Sequence, residues 1–120
     1  DGLIINVSSW SGNHVSLLSG VSYTSSKHAL NAMTETINMK YCNLGIRATA
    51  LCPGEVATAI LDKRPKKLSI EQKNKMLQPD DLGQTIVFLC QMPKHVCINE
   101  LTISPTWHRR YIADLGIEEL

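Results

Sequence analysis

Two side chains one helical turn apart give the clearest chemical signal in this sequence. Tyr23 and Lys27 occupy positions i and i+4 of a predicted helix, so they lie on the same face of it. A free tyrosine is a weak acid and a poor base at neutral pH, but a neighbouring ammonium favours the phenolate. We therefore predict a proton-transfer pair of the kind that general acid–base catalysis uses.

A hydroxyl at the end of a strand is the second feature. The apolar run Leu3-Ile4-Ile5 predicts a buried strand of the parallel type, and Asn6-Val7-Ser8-Ser9 ends it. A serine at that point is expected to hold a carbonyl or alcohol oxygen against Tyr23.

A proline–glycine loop is the third feature. Pro53-Gly54-Glu55-Val56-Ala57-Thr58 follows a second predicted buried strand. Together the three stretches resemble the N-x-S-S, Y-x-x-x-K and P-G-x-V-x-T motifs of the short-chain dehydrogenase/reductase family, in the same order. The resemblance covers Asp1 to about Pro105. It implies an α/β fold, the C-terminal part of a doubly wound Rossmann-type parallel sheet, with about three strands and flanking helices.

The resemblance also implies a role for each motif. Tyr23 gives a proton to a substrate carbonyl in reduction and takes one from an alcohol in oxidation, while Lys27 assists it and holds the nicotinamide ribose. Ser9 hydrogen-bonds the reacting oxygen. Ser8 is the alternative serine for this role, but a structural role is preferred for it, because adjacent strand residues face opposite ways. The residues expected to bind the cofactor, NAD or NADP, are Tyr23, Lys27, Pro53, Gly54, Val56 and Thr58.

Parts of the family's machinery are missing from this sequence. Its seven glycines form no G-x-x-x-G-x-G or G-x-G-x-x-G pattern, which a dinucleotide-binding fold places at its first turn. We expect that turn, the residue that selects NAD or NADP and the catalytic asparagine to lie upstream of Asp1. The expected function is hydride transfer between NAD(P)(H) and a carbonyl or alcohol by the complete protein. A non-catalytic fragment or interaction module of the same fold is the alternative.

A serine hydrolase is a weaker alternative. It requires Gly-x-Ser-x-Gly, or Ser-x-x-Lys with its lysine. Here the serines stand in Val7-Ser8-Ser9-Trp10-Ser11, and Thr24 precedes Lys27 by three residues.

Composition narrows the function classes. The 12 basic and 11 acidic residues give a net charge of +1, which offers no electrostatic basis for nucleic-acid binding. No apolar run approaches the roughly 18 residues of a membrane span, and no signal peptide is visible. We expect a cytoplasmic protein. A metal site is not expected, because the four histidines form no ligand pattern. Four cysteines are interpreted as reduced core residues: Cys42, Cys52, Cys90 and Cys97.

The remaining sequence predicts the elements that position these residues. Strands are expected at 2–8, 46–52 and 96–103, and helices at 21–44 and from Pro79 to before Pro93. Gly45 is predicted to end the first helix in the left-handed conformation.

The buried stripe of this first helix is predicted to be Leu30, Met33, Ile37, Tyr41 and Leu44. A second apolar side of this helix suggests a homo-oligomer interface or packing within one chain. Leu82, Ile86, Leu89 and Cys90 are predicted to form the inner face of the second helix. Residues 1–106 are assigned to the Rossmann-like domain and residues 107–120 to a polar tail.

Two loops complete the interpretation. By resemblance, the loop at 10–22 borders the substrate, so His14, Val15, Leu17 and Leu18 either line a pocket or pack as surface residues. The segment at 59–76 corresponds to the family's substrate lid. Its run Lys63-Arg64-Pro65-Lys66-Lys67 is interpreted as a solvated face in preference to a site for an acidic substrate or a cofactor phosphate.

Overall fold

A computed structural model describes residues 1–118 of the chain. Its strands and α-helices are, in chain order, β1 (Gly2–Val7), α1 (Val21–Tyr41), β2 (Ile46–Pro53), α2 (Ile70–Asn74), α3 (Pro79–Gln91), β3 (Glu100–Ile103) and α4 (Arg109–Asp114). The three strands form one parallel sheet in the order β1-β2-β3. The predicted α/β class, with about three strands and flanking helices, is confirmed.

The sheet brings two of the three motifs to one edge. β1 pairs with β2 from Gly2 opposite Ile46 to Val7 opposite Leu51. β2 pairs with β3 up to Pro53 opposite Ile103. Since all strands run the same way, the serines after β1 and the loop after β2 leave the sheet at its carboxyl edge, where open α/β sheets bind ligands.

The core is centred on β2, which has a neighbour on each side. Ala48, Leu51 and Cys52 in this strand are fully buried, and Leu89 of α3 is nearly so. Burying a leucine of this kind stabilises the fold by about 1.5–3 kcal/mol.

The end of α1 agrees with the sequence prediction. A 3₁₀ turn, Cys42–Leu44, continues the helix. Gly45 then adopts φ 71°, and its amide donates to the Cys42 carbonyl. A side chain would be strained at this left-handed position, which explains why a glycine stands here.

The predicted buried stripe of α1 is partly wrong. Leu30, Ile37 and Tyr41 are half-buried, but Met33 and Leu44 are 50% and 59% exposed. The sheet-facing side of the helix is polar instead, and Thr34 is 1% exposed.

Hydrogen bonds explain this polar face. Thr34 Oγ1 donates to the Leu30 carbonyl and accepts from Asn6 Nδ2 of β1. The Asn38 amide donates to the Ala48 carbonyl at 2.8 Å and accepts from the Ala48 amide at 2.6 Å. It takes the place of a neighbouring strand at a point of β2 that precedes the β3 pairing. Because these partners come from distant segments, helical periodicity does not reveal them.

Helix α3 begins and ends as predicted. Pro79 stands in its first turn, and Asp81 accepts from the Gln78 amide in a capping box. The helix ends before Pro93. The prediction for its inner face holds for Leu82, Ile86 and Leu89, whereas Cys90 is exposed.

Two further expectations need correction. All four cysteines are free, but Cys42 and Cys90 are exposed, so only Cys52 is a fully buried core residue. The last strand is shorter than predicted, since residues 96–99 lie outside β3. Arg47 occupies this region and donates to the carbonyls of Met92, Pro93 and Val96.

The C-terminal segment is more ordered than a tail. It contains α4, with Ile112 buried. The domain boundary at residue 106 stays a prediction. No helix within residues 1–118 is long and apolar enough to cross a membrane.

Candidate active site

Tyr23 and Lys27 lie together on the first turns of α1. The Lys27 ammonium is 5.6 Å from the centre of the Tyr23 ring. Its Nζ donates to the Val7 carbonyl, the last of β1, at 3.2 Å. The phenol remains 46% exposed. The lysine thus lies between the end of β1 and the exposed Tyr23, and the role of this pair in proton transfer stays a prediction.

The two serines after β1 differ in their surroundings. Ser8 is 4% exposed, and its hydroxyl donates to the Lys27 carbonyl at 3.4 Å. This contact supports its structural interpretation. Ser9 is only partly buried, and its Oγ accepts from the Ser11 amide at 3.1 Å as the cap of a 3₁₀ turn, Trp10–Gly12. A hydroxyl in this arrangement keeps its own proton to donate.

Gly12 is a requirement that the sequence reasoning missed. A Cβ at this position would lie 2.6 Å from Asn31 Nδ2 and 2.7 Å from Ser8 Oγ. The loop that follows Ser9 therefore passes against α1 so closely that only glycine fits.

A polar network behind this loop was also missed. Asn31 Nδ2 donates to Asn13 Oδ1 at 3.1 Å and approaches Cys52 Sγ at 3.7 Å. Asn13 Nδ2 donates to Glu100 at the start of β3. Burial, and secondarily the Glu100 carboxylate, raises the pKa of the Cys52 thiol. The network joins β2, β3 and α1 beneath the loop that carries Ser9.

The loop after β2 is held mainly by its own backbone. The Gly54 amide donates to the Ile103 carbonyl at 2.7 Å. A Cβ on Gly54 would lie 3.3 Å from both Pro105 Cδ and Ser104 Cβ. Such a close approach favours glycine. Pro53 is buried at the end of β2, at the position where the resemblance expects the cofactor.

The second half of this loop pairs with the segment before α3. Val56 and Leu77 form an isolated parallel bridge. The Leu77 amide donates to the Glu55 carbonyl at 3.0 Å, and the Ala57 amide donates to the Leu77 carbonyl at 2.8 Å. Thr58 is exposed and begins a 3₁₀ turn, Ala59–Lys63.

The segment at 59–76 mixes solvated charges with specific contacts. Lys63, Lys66 and Lys67 are exposed, which agrees with the solvated-face interpretation. Arg64 differs, because its guanidinium lies 3.7 Å from Glu55 Oε1. Lys73 contacts Asp62 at 2.7 Å, and the hydrogen bond and charge of this lysine lower the pKa of the Asp62 carboxyl.

The loop at 10–22 contributes one packed residue and several exposed ones. Val15, Leu17 and Leu18 are 77%, 102% and 74% exposed, as the surface-loop alternative expects. His14 instead stacks on Trp10, with ring centres 4.1 Å apart.

An aromatic cluster joins this loop to the C-terminal segment. His108 lies 4.7 Å from Trp10 between ring centres and stacks on Tyr111 at 4.2 Å. Desolvation lowers the pKa of His108, while the Glu55 carboxylate acts in the opposite direction. The aromatic residues were visible in the sequence, but nothing in their spacing indicated that they meet.

Comparison with known proteins shows the family to which the chain belongs. The family model described as short chain dehydrogenase matches residues 1–69, which include all three motifs. The chain belongs to the short-chain dehydrogenase family. A human relative, dehydrogenase/reductase SDR family member 11, is 33% identical over 114 residues, covering 88% of this chain and 44% of the relative. An uncharacterized oxidoreductase of Staphylococcus aureus is 31% identical over 104 residues, covering 87% of this chain and 42% of that protein.

Solved structures of the family share the fold. A betaketoacyl-[ACP] reductase from Bacteroides thetaiotaomicron is 32% identical with a TM-score of 0.69, and the match covers 94% of this chain and 44% of that one. An alcohol dehydrogenase from the archaeon Thermococcus sibiricus, complexed with 5-hydroxy-NADP, is 27% identical with a TM-score of 0.73, covering 90% and 43%. The chain thus spans less than half the length of these relatives.

Proposed function

We propose that this chain supplies the proton-transfer half of an NAD(P)-dependent dehydrogenase or reductase that interconverts a carbonyl and an alcohol. The observation that carries the proposal is the fixed position of Lys27, whose ammonium bonds the end of β1 at 3.2 Å and lies one helical turn from the exposed phenol of Tyr23. Family membership and the similarity to an NADP-type complex support it.

Each residue of the site has a defined part in the proposed reaction. Tyr23 Oη donates a proton to the carbonyl oxygen in reduction and accepts one from the hydroxyl in oxidation. Lys27 places its ammonium beside the phenol, 5.6 Å from the ring centre. Ser9 Oγ, which keeps a proton to donate, binds the reacting oxygen and orients it toward Tyr23.

The residues present fit a nicotinamide cofactor. The Gly54 backbone and Val56 lie on the loop that leaves β2 at the carboxyl edge of the sheet, and Thr58 ends that loop. Lys27 offers donors for ribose hydroxyls beside this edge. When bound, NAD(P)H supplies the hydride. We assign cofactor binding in this chain to Tyr23, Lys27, Pro53, Gly54, Val56 and Thr58.

Two further assignments belong to the proposal. The exposed apolar side chains of α1, including Met33 and Met39 at 50% and 77%, support a homo-oligomer formed through this helix. We also assign the protein to the cytoplasm, with a small carbonyl or alcohol compound as its substrate.

Replacement of the phenol tests the mechanism. In the full-length protein, Tyr23→Phe should lower kcat by roughly 10²–10⁴-fold, the usual contribution of a general acid or base. Steady-state NAD(P)H oxidation with a panel of aldehydes and ketones measures this change.

Tyr41→Phe is the matched control. Lys40 lies 5.3 Å from the Tyr41 ring, which makes a similar lysine–tyrosine pair at the far end of the same helix. Its kcat should stay within about twofold of the wild type, because the substitution keeps the ring and removes a hydroxyl at the end of the helix far from the proposed site. The assignment is wrong if Tyr23→Phe retains most of the turnover.

A further inference from the structure

The C-terminal segment, residues 104–115, contacts each of the three pieces that surround the proposed site. Trp107 lies under the Lys75 ammonium, 4.4 Å from ring centre to Nζ, and so contacts the end of the lid segment. His108 and Tyr111 contact the loop that carries Ser9, and Arg109 contacts the loop after β2. One short stretch of chain thus contacts both the loop that carries Ser9 and the loop after β2.

The first contact acts next to the reacting oxygen. Trp10 follows Ser9 directly and begins the 3₁₀ turn that Ser9 caps. His108 packs on this indole at 4.7 Å, and Tyr111 meets its ring edge-on at 6.2 Å. A shift of His108 would therefore move the turn whose Ser11 amide binds the Ser9 hydroxyl.

The second contact acts on the loop after β2, which was assigned above to cofactor binding and is called the cofactor loop below. Glu55 stands between Gly54 and Val56, and its Oε1 receives Arg109 at 3.5 Å and Arg64 at 3.7 Å. The carboxylate therefore lies between a guanidinium from the lid segment and one from α4. Ion pairs this exposed contribute little to global stability. Their effect is expected on the position of the loop, because the Glu55 carboxylate joins it to two separate segments of the chain.

We propose that Arg109 and His108 are positioning residues, which hold the cofactor loop and the Ser9 loop at a fixed separation from one helix, α4. Arg109 acts through Glu55, and His108 acts through Trp10. Neither residue is assigned a contact with reacting atoms. The inference rests on the proposed function, since this separation matters for hydride and proton transfer to the same carbonyl group.

The two residues should affect different kinetic constants in the full-length protein. Arg109→Gln frees the cofactor loop and should raise the KM for NAD(P)H by roughly threefold to tenfold, with a smaller effect on kcat. His108→Ala loosens the Ser9 turn and should lower kcat by a similar factor, with a smaller effect on the cofactor KM. A general loss of folded protein would instead lower the apparent kcat of both variants and leave both KM values unchanged.

Conservative and coupled variants test the route through Glu55. Arg109→Lys should restore most of the affinity for NAD(P)H, since it keeps the charge. Glu55→Gln combined with Arg109→Gln should be no worse than the more severe single change, because the two side chains act as a pair. Arg110→Gln, at the adjacent exposed position, is the control and should leave the cofactor KM as it is. Equal values for Arg109→Gln and Arg110→Gln, or additive effects in the double variant, would overturn the inference.

Trp10 fluorescence separates this inference from the proposed function. In a Trp107→Phe background Trp10 is the single indole of these 120 residues, and His108→Ala should change its emission through the lost ring contact. Absence of NAD(P)H turnover in the wild type, together with this change in emission, would refute the proposed function while the contact itself stands. Turnover with emission and both kinetic constants unaltered in His108→Ala would refute the positioning role.

Discussion

At the scale of single residues, the site depends on close approaches as much as on reactive groups. Tyr23, Lys27 and Ser9 are the residues proposed to react, but the loop beside Ser9 reaches its position because Gly12 lies against Asn31 and Ser8. The catalytic types can be recognised from their order in the sequence. The need for a glycine at position 12 follows only from distances between side chains that are far apart in the chain.

Gly12→Ala tests this packing requirement. The added methyl group would lie within 3 Å of two polar side-chain atoms, and overpacking of this kind typically costs about 1–3 kcal/mol. Urea denaturation of the full-length protein should show a loss of that size in the free energy of unfolding.

Gly83→Ala serves as the matched control. A Cβ at Gly83 of α3 meets nothing within 4 Å. Alanine should therefore stabilise the helix by about 0.5–1 kcal/mol. The packing argument fails if both substitutions change stability in the same direction and by the same amount.

At the scale of elements, side-chain hydrogen bonds to the main chain join pieces that backbone pairing does not reach. Asn38 of α1 binds both backbone groups of Ala48 in β2. Arg47 of the same strand binds three carbonyls around the end of α3 and the turn after it. These contacts join α3 and the turn after it to β2.

Arg47→Ala should weaken the attachment of α3 to the sheet. Hydrogen bonds to a charged group contribute about 1.5–3 kcal/mol, and the freed carbonyls would lose their partner. We expect a decrease of about 2–4 kcal/mol in the free energy of unfolding, measured by chemical denaturation.

Lys94→Ala is the control for Arg47→Ala, since it also removes a positive charge but only from an exposed ion pair. Lys94 pairs with Asp1, and its side chain is 82% exposed. Exposed pairs contribute about 0–1 kcal/mol, so its loss should be nearly neutral. Equal effects of the two substitutions would contradict the role given to Arg47.

At the scale of the whole molecule, the chain presents half of a larger architecture. It spans 44% of its human relative, and β1 has no strand on its outer edge within residues 1–118. Ile4 and Val7 of this strand are 40% and 47% exposed. The groups proposed for proton transfer lie in this chain, while no glycine-rich pyrophosphate turn occurs in these 120 residues.

The 120-residue chain by itself should therefore neither bind nor turn over a dinucleotide. Without a helix N-terminus in a glycine-rich turn, the pyrophosphate lacks the donors that hold it in such folds. Titration with NADH or NADPH, followed by the fluorescence of the bound cofactor, should show no saturation in the micromolar range. Micromolar binding would contradict this expectation, and the full-length protein under the same conditions is the positive control.

Sequence patterns were enough to predict the α/β class, the order of the strands along the chain, the ends of α1 and α3, and the three motifs of the site. These features are local, since they depend on apolar runs, Gly45, Pro79 and short spacings that can be read within a few residues. The tertiary structure decided the polar face of α1, the exposure of Cys42 and Cys90, and the approach of His108 and Arg109 to the two loops. Their partners lie tens of residues away in the chain, and only the folded sheet brings them together.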